Sequence, residues 1–267
     1  MFEAEQVLPG IYHIKDIMGV CMTLITGKDR ALLVDTGYGI EDVRGFVRTL
    51  TDLPLTVLLT HGHHDHALGA VWFDEVVLFE EEKPVYERYG GSAQRERVAG
   101  QAAAKGIRVP DDFLTKPMAA ARYAHGDAGE SGFDEIVMDL GGVTARIMKV
   151  PGHTPGSAVI LVPERELLLT ADDWNPCTWV WFPEACGIKA WRTNMERVFE
   201  KVSFEHVLCS HQARLYSHDD PVRFVRFMTD DVLKNAPYAE MGSATDTRRV
   251  MPDETTQLVF DRAKMTE

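Results

Sequence analysis

Apolar and polar positions along this chain alternate in short runs broken by Gly, Asp and Pro, the pattern of strands joined by turns. GIYHIKD at 10–16, CMTLITG at 21–27 and RALLVDTG at 30–37 predict a β-meander, with Gly27-Lys28-Asp29 supplying the turn before the third strand. Between 41 and 50 the period changes. Val43, Phe46, Val47 and Leu50 fall at helical spacing, and Asp42 suits the positive end of that helix. TVLLT at 56–60 and EVVLFE at 75–80 are continuously apolar and predict buried strands.

Alternation resumes with EIVMDL, VTARIMKV, SAVILV and ELLLTAD, four predicted strands separated by Gly-Gly, Pro-Gly and Pro-Glu-Arg turns. A helix over 188–202, a strand at HVLCS (206–210) and an amphipathic helix over 220–235 follow. The stretch at about 80–132 is charged, rich in Ala and Gly, and only partly periodic. It reads as an insertion, helical over 80–105 with breaks at Pro84 and Gly90-Gly91, then loop with short helical pieces to 132. The tail at about 236–267 is polar apart from QLVF, which is read as an edge strand or a partner contact. Two β-rich halves with helices and no dividing linker predict one α/β domain over 1–267, two facing mixed sheets with helices outside.

Composition narrows the setting. Its 267 residues can bury a large core without disulfides, and four dispersed cysteines form no C-x-x-C pair, which fits a cytoplasmic, reducing compartment. A formal charge of -13 and the absence of any Lys/Arg run disfavour nucleic acid. The N-terminus lacks a leader pattern, and no apolar run approaches the roughly 18 residues of a membrane span, so no membrane partner is expected.

The chemistry concentrates where strands end. In Thr60-His61-Gly62-His63-His64-Asp65-His66, four potential ligands (His61, His63, Asp65 and His66) directly follow a predicted buried strand. Turning all four toward one small volume calls for a loop. Imidazole suits Zn and Fe, and carboxylate also suits Mn. Further ligands are needed for two metals, and His153 in PGHTPGS, Asp172 after ELLLTA and His211 after HVLCS occupy the same position beyond an apolar run. A carboxylate with two oxygens can bridge two cations, and Asp172 is the candidate bridge. Singly, a histidine is more often a surface or hydrogen-bonded residue and an aspartate a helix cap; seven in this placement are not incidental.

H-x-H-x-D-H followed by a lone His, a lone Asp and a last His resembles the metallo-β-lactamase-fold hydrolase superfamily, with the glyoxalase II-like binuclear ligand set. LLVDTG at 32–37, TH at 60–61 and PGHTPGS at 151–157 support it, over residues 11 to 235 or so. The resemblance implies an αββα sandwich. It implies that His61, His63 and His153 hold one metal, that Asp65, His66 and His211 hold the other, and that Asp172 bridges. Asp35 then orients a ligating imidazole without binding metal. Where the family often has Gly-Asp, this chain has Ala171-Asp172-Asp173, so Asp173 stays open as the alternative bridge.

The expected activity is hydrolysis by a hydroxide bridging two divalent ions, zinc before iron or manganese, about 3.5–4 Å apart, with Asp65 as catalytic ligand. A small ester, thioester or lactone is the expected substrate, with a small phosphodiester as runner-up. The bridging aspartate departs from the β-lactamases themselves, and nuclease-like basic arms and a basic glutathione-contacting segment are absent. An iron-dependent oxidoreductase and a low-turnover metal-binding sensor are the readings from other classes. Trp174, Trp179, Trp181 and Phe182 follow Asp172 closely and are candidates for a substrate pocket, against the commoner role of aromatics in a core. His64 is expected to point away from the metals, His13, His125, His206 and His218 carry no motif, and the cysteines read as packing residues. The tail and the aromatics make a homodimer a further expectation.

Overall fold

A computed structural model describes residues 1–241 and 246–265. The chain divides into two compact units, each interleaved from non-adjacent segments. Met1–His125, Val137–Ala145 and Ser210–Ala213 make the first, and Gly126–Ile136, Arg146–Cys209 and the chain from Arg214 onward make the second. No single cut separates them.

In the first unit β1 (Glu3–Leu8), β2 (Ile11–Lys15), β3 (Cys21–Thr26), β4 (Ala31–Val34), β5 (Leu55–Leu58), β6 (Glu75–Phe79) and β7 (Ala120–Ala124) form one sheet in chain order. The first four pair antiparallel, and β4 through β7 run parallel. Strands β3 and β4 are buried almost throughout, which is why they read as apolar runs. Neither edge strand is evident from the sequence. The first four residues of β1, Glu3 to Gln6, are exposed and largely polar, and β7 lies inside the stretch expected to be loop. An edge strand keeps its polar groups in solvent, so period-two contrast is weak there.

Helix α1 (Val43–Arg48) is capped by Asp42, whose carboxylate accepts from the Gly45 N–H at 2.8 Å, and it buries Val43 and Val47 one turn apart. Each buried valine contributes about 1.5–3 kcal/mol relative to exposure. A single helical turn, α2 (His64–Ala67), follows β5. Helices α3 (Lys83–Tyr89) and α4 (Ser92–Ala104) occupy the insertion. Pro84 does not break a helix as expected. It sits in the first turn of α3, where its missing N–H has no intrahelical partner to lose. Gly90 and Gly91 do separate the two helices.

The second unit carries β8 (Asp127–Ala128), β9 (Asp134–Asp139), β10 (Thr144–Lys149), β11 (Ala158–Val162), β12 (Leu167–Ala171), β13 (Cys177–Val180), β14 (His206–Cys209), β15 (Tyr216–Ser217), β16 (Thr247–Val250) and β17 (Gln257–Asp261). Seven of these form a second mixed sheet in the order β15-β14-β12-β11-β10-β9-β8, with β12 and β14 parallel; the tip of the β9–β10 hairpin belongs to the first unit. Two large mixed sheets with helices bear out the α/β fold class.

Helix α5 (Ile188–Lys201) buries Ile188, Trp191, Met195 and Val198, the i, i+3, i+4 stripe that its sequence predicts. The helix expected over 220–235 is instead two, α6 (Asp219–Phe227) and α7 (Asp230–Lys234), because the Thr229 hydroxyl accepts from the Val232 N–H and opens a new helix. QLVF is no edge. Strand β17 is the centre of a three-stranded sheet, β13-β17-β16, with Leu258, Val259 and Phe260 completely buried. Of the expected tail, residues 242–245 and 266–267 lie outside the described residues. Among the described residues no helix is long and apolar enough to cross a membrane.

Candidate metal centre

In the first unit β4 and β5 run parallel in register, Val34 opposite Leu58, so Asp35 and the segment from Leu59 to His61 leave adjacent strands at their carboxyl ends. The Asp35 N–H donates to the Leu58 carbonyl at 2.8 Å, and its backbone takes a left-handed φ of 66°. That conformation is costly for a residue with a Cβ and persists where the surroundings require it. Here the Asp35 carboxylate accepts from the Thr60 N–H at 2.7 Å, from the Thr60 hydroxyl, and from His66 Nδ1 at 2.9 Å. His66 therefore carries its proton on Nδ1 and offers the Nε2 lone pair. The Thr60 hydroxyl directs its proton to Asp35, so its oxygen accepts from His61 Nδ1 at 3.0 Å, and His61 too presents Nε2.

The expected loop is only half a loop. The chain bends at His61 and runs as loop to His63, the extended N-cap with ψ 151°, and His64 to Ala67 close one helical turn. That turn sends neighbouring side chains in different directions. His66 is completely buried, whereas His64 lies beside Tyr38 and Tyr89, ring centroids 5.5 and 5.9 Å away, its burial lowering its pKa. The rings of His61 and His66 approach to 4.1 Å and those of His61 and His63 to 4.8 Å. Asp65 Oδ2 stands 3.6 Å from His66 Nε2 and 3.7 Å from Nε2 of the partly exposed His211. Asp65, His66 and His211 each offer one ligand atom, all within 4.8 Å of one another. One carboxylate and two imidazoles are a donor set that suits a divalent transition ion.

Three supports of this site carry no signal in the sequence. Glu82 is completely buried and accepts from the Gly62 N–H at 2.8 Å, yet it stands in Glu80-Glu81-Glu82-Lys83, which reads as a solvated run. Gly62 itself packs on α3, where a Cβ would lie 2.4 Å from the Tyr86 nitrogen. His13 is buried and neutral: the Thr23 hydroxyl donates to its Nδ1, and its Nε2–H donates to the carbonyl of Gln212, next to His211. Burial depresses its pKa to about 4.

In the second unit His153 follows β10, and Asp172 follows β12 directly after Ala171, whose φ is 47°. His153 Nδ1 donates to the Trp179 carbonyl at 2.6 Å, so this histidine also presents Nε2, 3.6 Å from Asp172 Oδ2. Asp173 does something else. Its Oδ1 accepts from the His153 N–H at 3.0 Å and from the Ser157 hydroxyl at 3.2 Å, its backbone carbonyl accepts from Trp191 Nε1, and it is completely buried. Asp173 builds the His153 loop, while Asp172 faces the imidazole.

The four aromatics separate. Trp174 is 1% exposed and packs edge-on against Tyr216 and Phe224, which makes it a core residue. Trp179, Trp181 and Phe182 instead form a contiguous, partly exposed cluster, with Trp181 and Phe182 stacked at 4.3 Å and Phe182 edge-on to His153 at 5.5 Å.

A family model described as the metallo-beta-lactamase superfamily matches residues 18–173, a span that includes Asp35, the His61–His66 cluster, His153 and Asp172. The chain belongs to the metallo-β-lactamase superfamily. Curated relatives include a chicken protein named acyl-coenzyme A thioesterase MBLAC2, 27% identical over 177 residues, which are 57% of this chain and 60% of that protein. A Bacillus subtilis protein named probable metallo-hydrolase YqgX is 28% identical over 154 residues, 55% of this chain and 63% of that one. The chain thus matches about 60% of the length of these relatives. Among solved structures, a β-lactamase domain protein from Burkholderia ambifaria has a TM-score of 0.62 at 19% identity, covering 87% of this chain and 74% of that one. A metallo-β-lactamase family protein from Thermus thermophilus has a TM-score of 0.60 at 20% identity, covering 85% and 82%. At these identities the likeness concerns the fold. His211 lies beyond the matched span, and its place beside Asp65 and His66 comes from the structure.

Proposed function

We propose that this chain is a binuclear metallo-hydrolase that cleaves a small ester, thioester or lactone carrying an apolar acyl portion. The observation that carries this reading is the shared tautomer of His61, His66 and His153: each donates through Nδ1 to a protein oxygen and keeps Nε2 for a cation. His61, His63 and His153 would hold one divalent ion, Asp65, His66 and His211 the other, and Asp172 would bridge them. The role of Asp173 in holding the His153 backbone supports Asp172 as the bridge. Zinc suits this imidazole-rich set first, with iron and manganese as alternatives. When bound, two such ions supply a water acidified to near neutrality and Lewis acidity at the leaving group.

The protein's own part is orientation and exclusion. Asp35 and Thr60 hold two imidazoles in one protonation state, and Asp65 would accept a hydrogen bond from the attacking water. Trp179, Trp181 and Phe182 offer an apolar surface beside His153 for the acyl group, and Trp174 is left out of that role. Resemblance to proteins named acyl-coenzyme A thioesterases supports the thioester member of this substrate class.

Elemental analysis of purified protein, followed by a panel of acyl-CoA thioesters, p-nitrophenyl esters, lactones and phosphodiesters, tests the proposal. Two equivalents of metal with thioester or ester turnover is the expected result. Phosphodiester turnover alone, oxygen consumption with iron, or fully loaded protein that hydrolyses nothing would each replace it.

A further inference from the structure

Lys264 has no part in the metal chemistry just described, yet its ammonium is entirely committed. Nζ donates to the backbone carbonyls of Pro183 at 2.6 Å, Ala185 at 2.8 Å and Phe182 at 3.3 Å. An ammonium has three donors, and all three go to one loop. Charge-assisted bonds of this kind are stronger than neutral ones, and holding a lysine so fully costs side-chain entropy that a solvated lysine keeps.

The loop it holds is the one beside His153. Strand β13 leads into Trp181 and Phe182, and its Trp179 supplies both the carbonyl bonded to His153 and a ring of the aromatic cluster. Strand β17 runs parallel to β13, with Trp179 opposite Val259 and Val180 opposite Phe260. The Gln257 side-chain amide also donates to Cys177 Sγ at 2.8 Å. After β17 the Asp261 carboxylate accepts from the Ala263 N–H at 2.9 Å and turns the chain, which brings Lys264 to residues 182–185. The same segment therefore braces β13 and clamps the loop that leaves it.

We infer that Lys264 is a positioning residue that fixes Trp181 and Phe182 for recognition of an apolar acyl chain. This rests on the proposed acyl site beside His153. The fixed carbonyls hold the loop backbone, the backbone holds the aromatic rings, and the rings set which acyl groups fit.

The test uses the full zinc-loaded chain with Lys264→Met and Lys264→Arg. Acrylamide quenching of Trp181 fluorescence, taken as the difference from Trp181→Phe in each background, reports the loop directly. Steady-state kinetics with p-nitrophenyl acetate and p-nitrophenyl octanoate report its use. Lys264→Met should raise Trp181 quenching about twofold and KM for the octanoate about fivefold, leaving kcat and the acetate KM within about twofold, and Lys264→Arg should restore both readings. Unchanged quenching and octanoate KM in Lys264→Met would overturn the inference, as would equal losses on both esters. If the methionine variant fails to fold, Lys264→Gln replaces it and must show the same direction in both readings. If the parent chain hydrolyses no ester, the proposed activity fails, and quenching alone decides whether Lys264 positions the loop.

Discussion

The carboxylate of Asp35 accepts a hydrogen bond from His66 Nδ1 at 2.9 Å while it also receives both donors of Thr60. One buried acid thus sets the protonation of two imidazoles, His66 directly and His61 through the threonine hydroxyl. Partners of this kind around metal ligands are worth a large share of the metal affinity.

Replacing Asp35 by Asn removes the negative acceptor and should weaken metal binding about 10- to 100-fold. Competition with a chromogenic chelator measures this. Parental affinity in Asp35→Asn would show that the imidazoles do not depend on it.

Asp172 and Asp173 are adjacent but should fail differently. Asp172→Ala should lower bound metal to one equivalent or less and abolish turnover while the metal-free protein melts as before. Asp173→Ala strips the acceptor from His153 N–H and the Ser157 hydroxyl in a fully buried position and should cost about 2–4 kcal/mol of stability even without metal. Thermal melts of both variants treated with chelator separate the two roles, and an interchange of outcomes would move the bridge to Asp173.

His13 imposes a pH dependence on stability. Its folded pKa is depressed from 6.5 to about 4 by burial, so the unfolded chain binds the proton more readily between these values. The stability its neutral form contributes is present above pH 6.5 and is lost as pH falls toward 4, about 3 kcal/mol in all. Chemical denaturation at about pH 7, above that range, and at about pH 4.5, near its acid end, should show this loss in the parent chain and a shallower one in His13→Gln. Equal slopes would mean that His13 stays solvated.

The candidate ligands were legible because each follows an apolar run that the structure folds as a strand, β5 before His61, β10 before His153, β12 before Asp172 and β14 before His211. Asp35 was legible only through the family resemblance, in LLVDTG at 32–37. What the sequence concealed are residues whose burial is decided by distant chain. Glu82 looks like its neighbours Glu80 and Glu81, yet it is buried beside Gly62, on which α3 packs. His13 sits in an ordinary strand, and its partner Gln212 is 199 residues away. The edge strands β1 and β7 have too little apolar contrast to signal a period. The HDH turn reads as loop because close-set ligands suggest irregular backbone, whereas one helical turn fans Asp65 and His66 apart from His64 without it.

The pairing of β13 with β17 spans 80 residues between Cys177 and Gln257. On a ribosome, β13 emerges long before its partner exists, so the aromatic cluster and the Trp179 carbonyl that orients His153 have no template until residues 257–264 have been made. During that interval Trp179 stands on a strand whose partner has not been made, and a strand without its partner is prone to wrong pairings. Formation of the segment that presents the Trp179 carbonyl to His153 is thereby timed by synthesis of residues 257–264, the strand and turn that brace it.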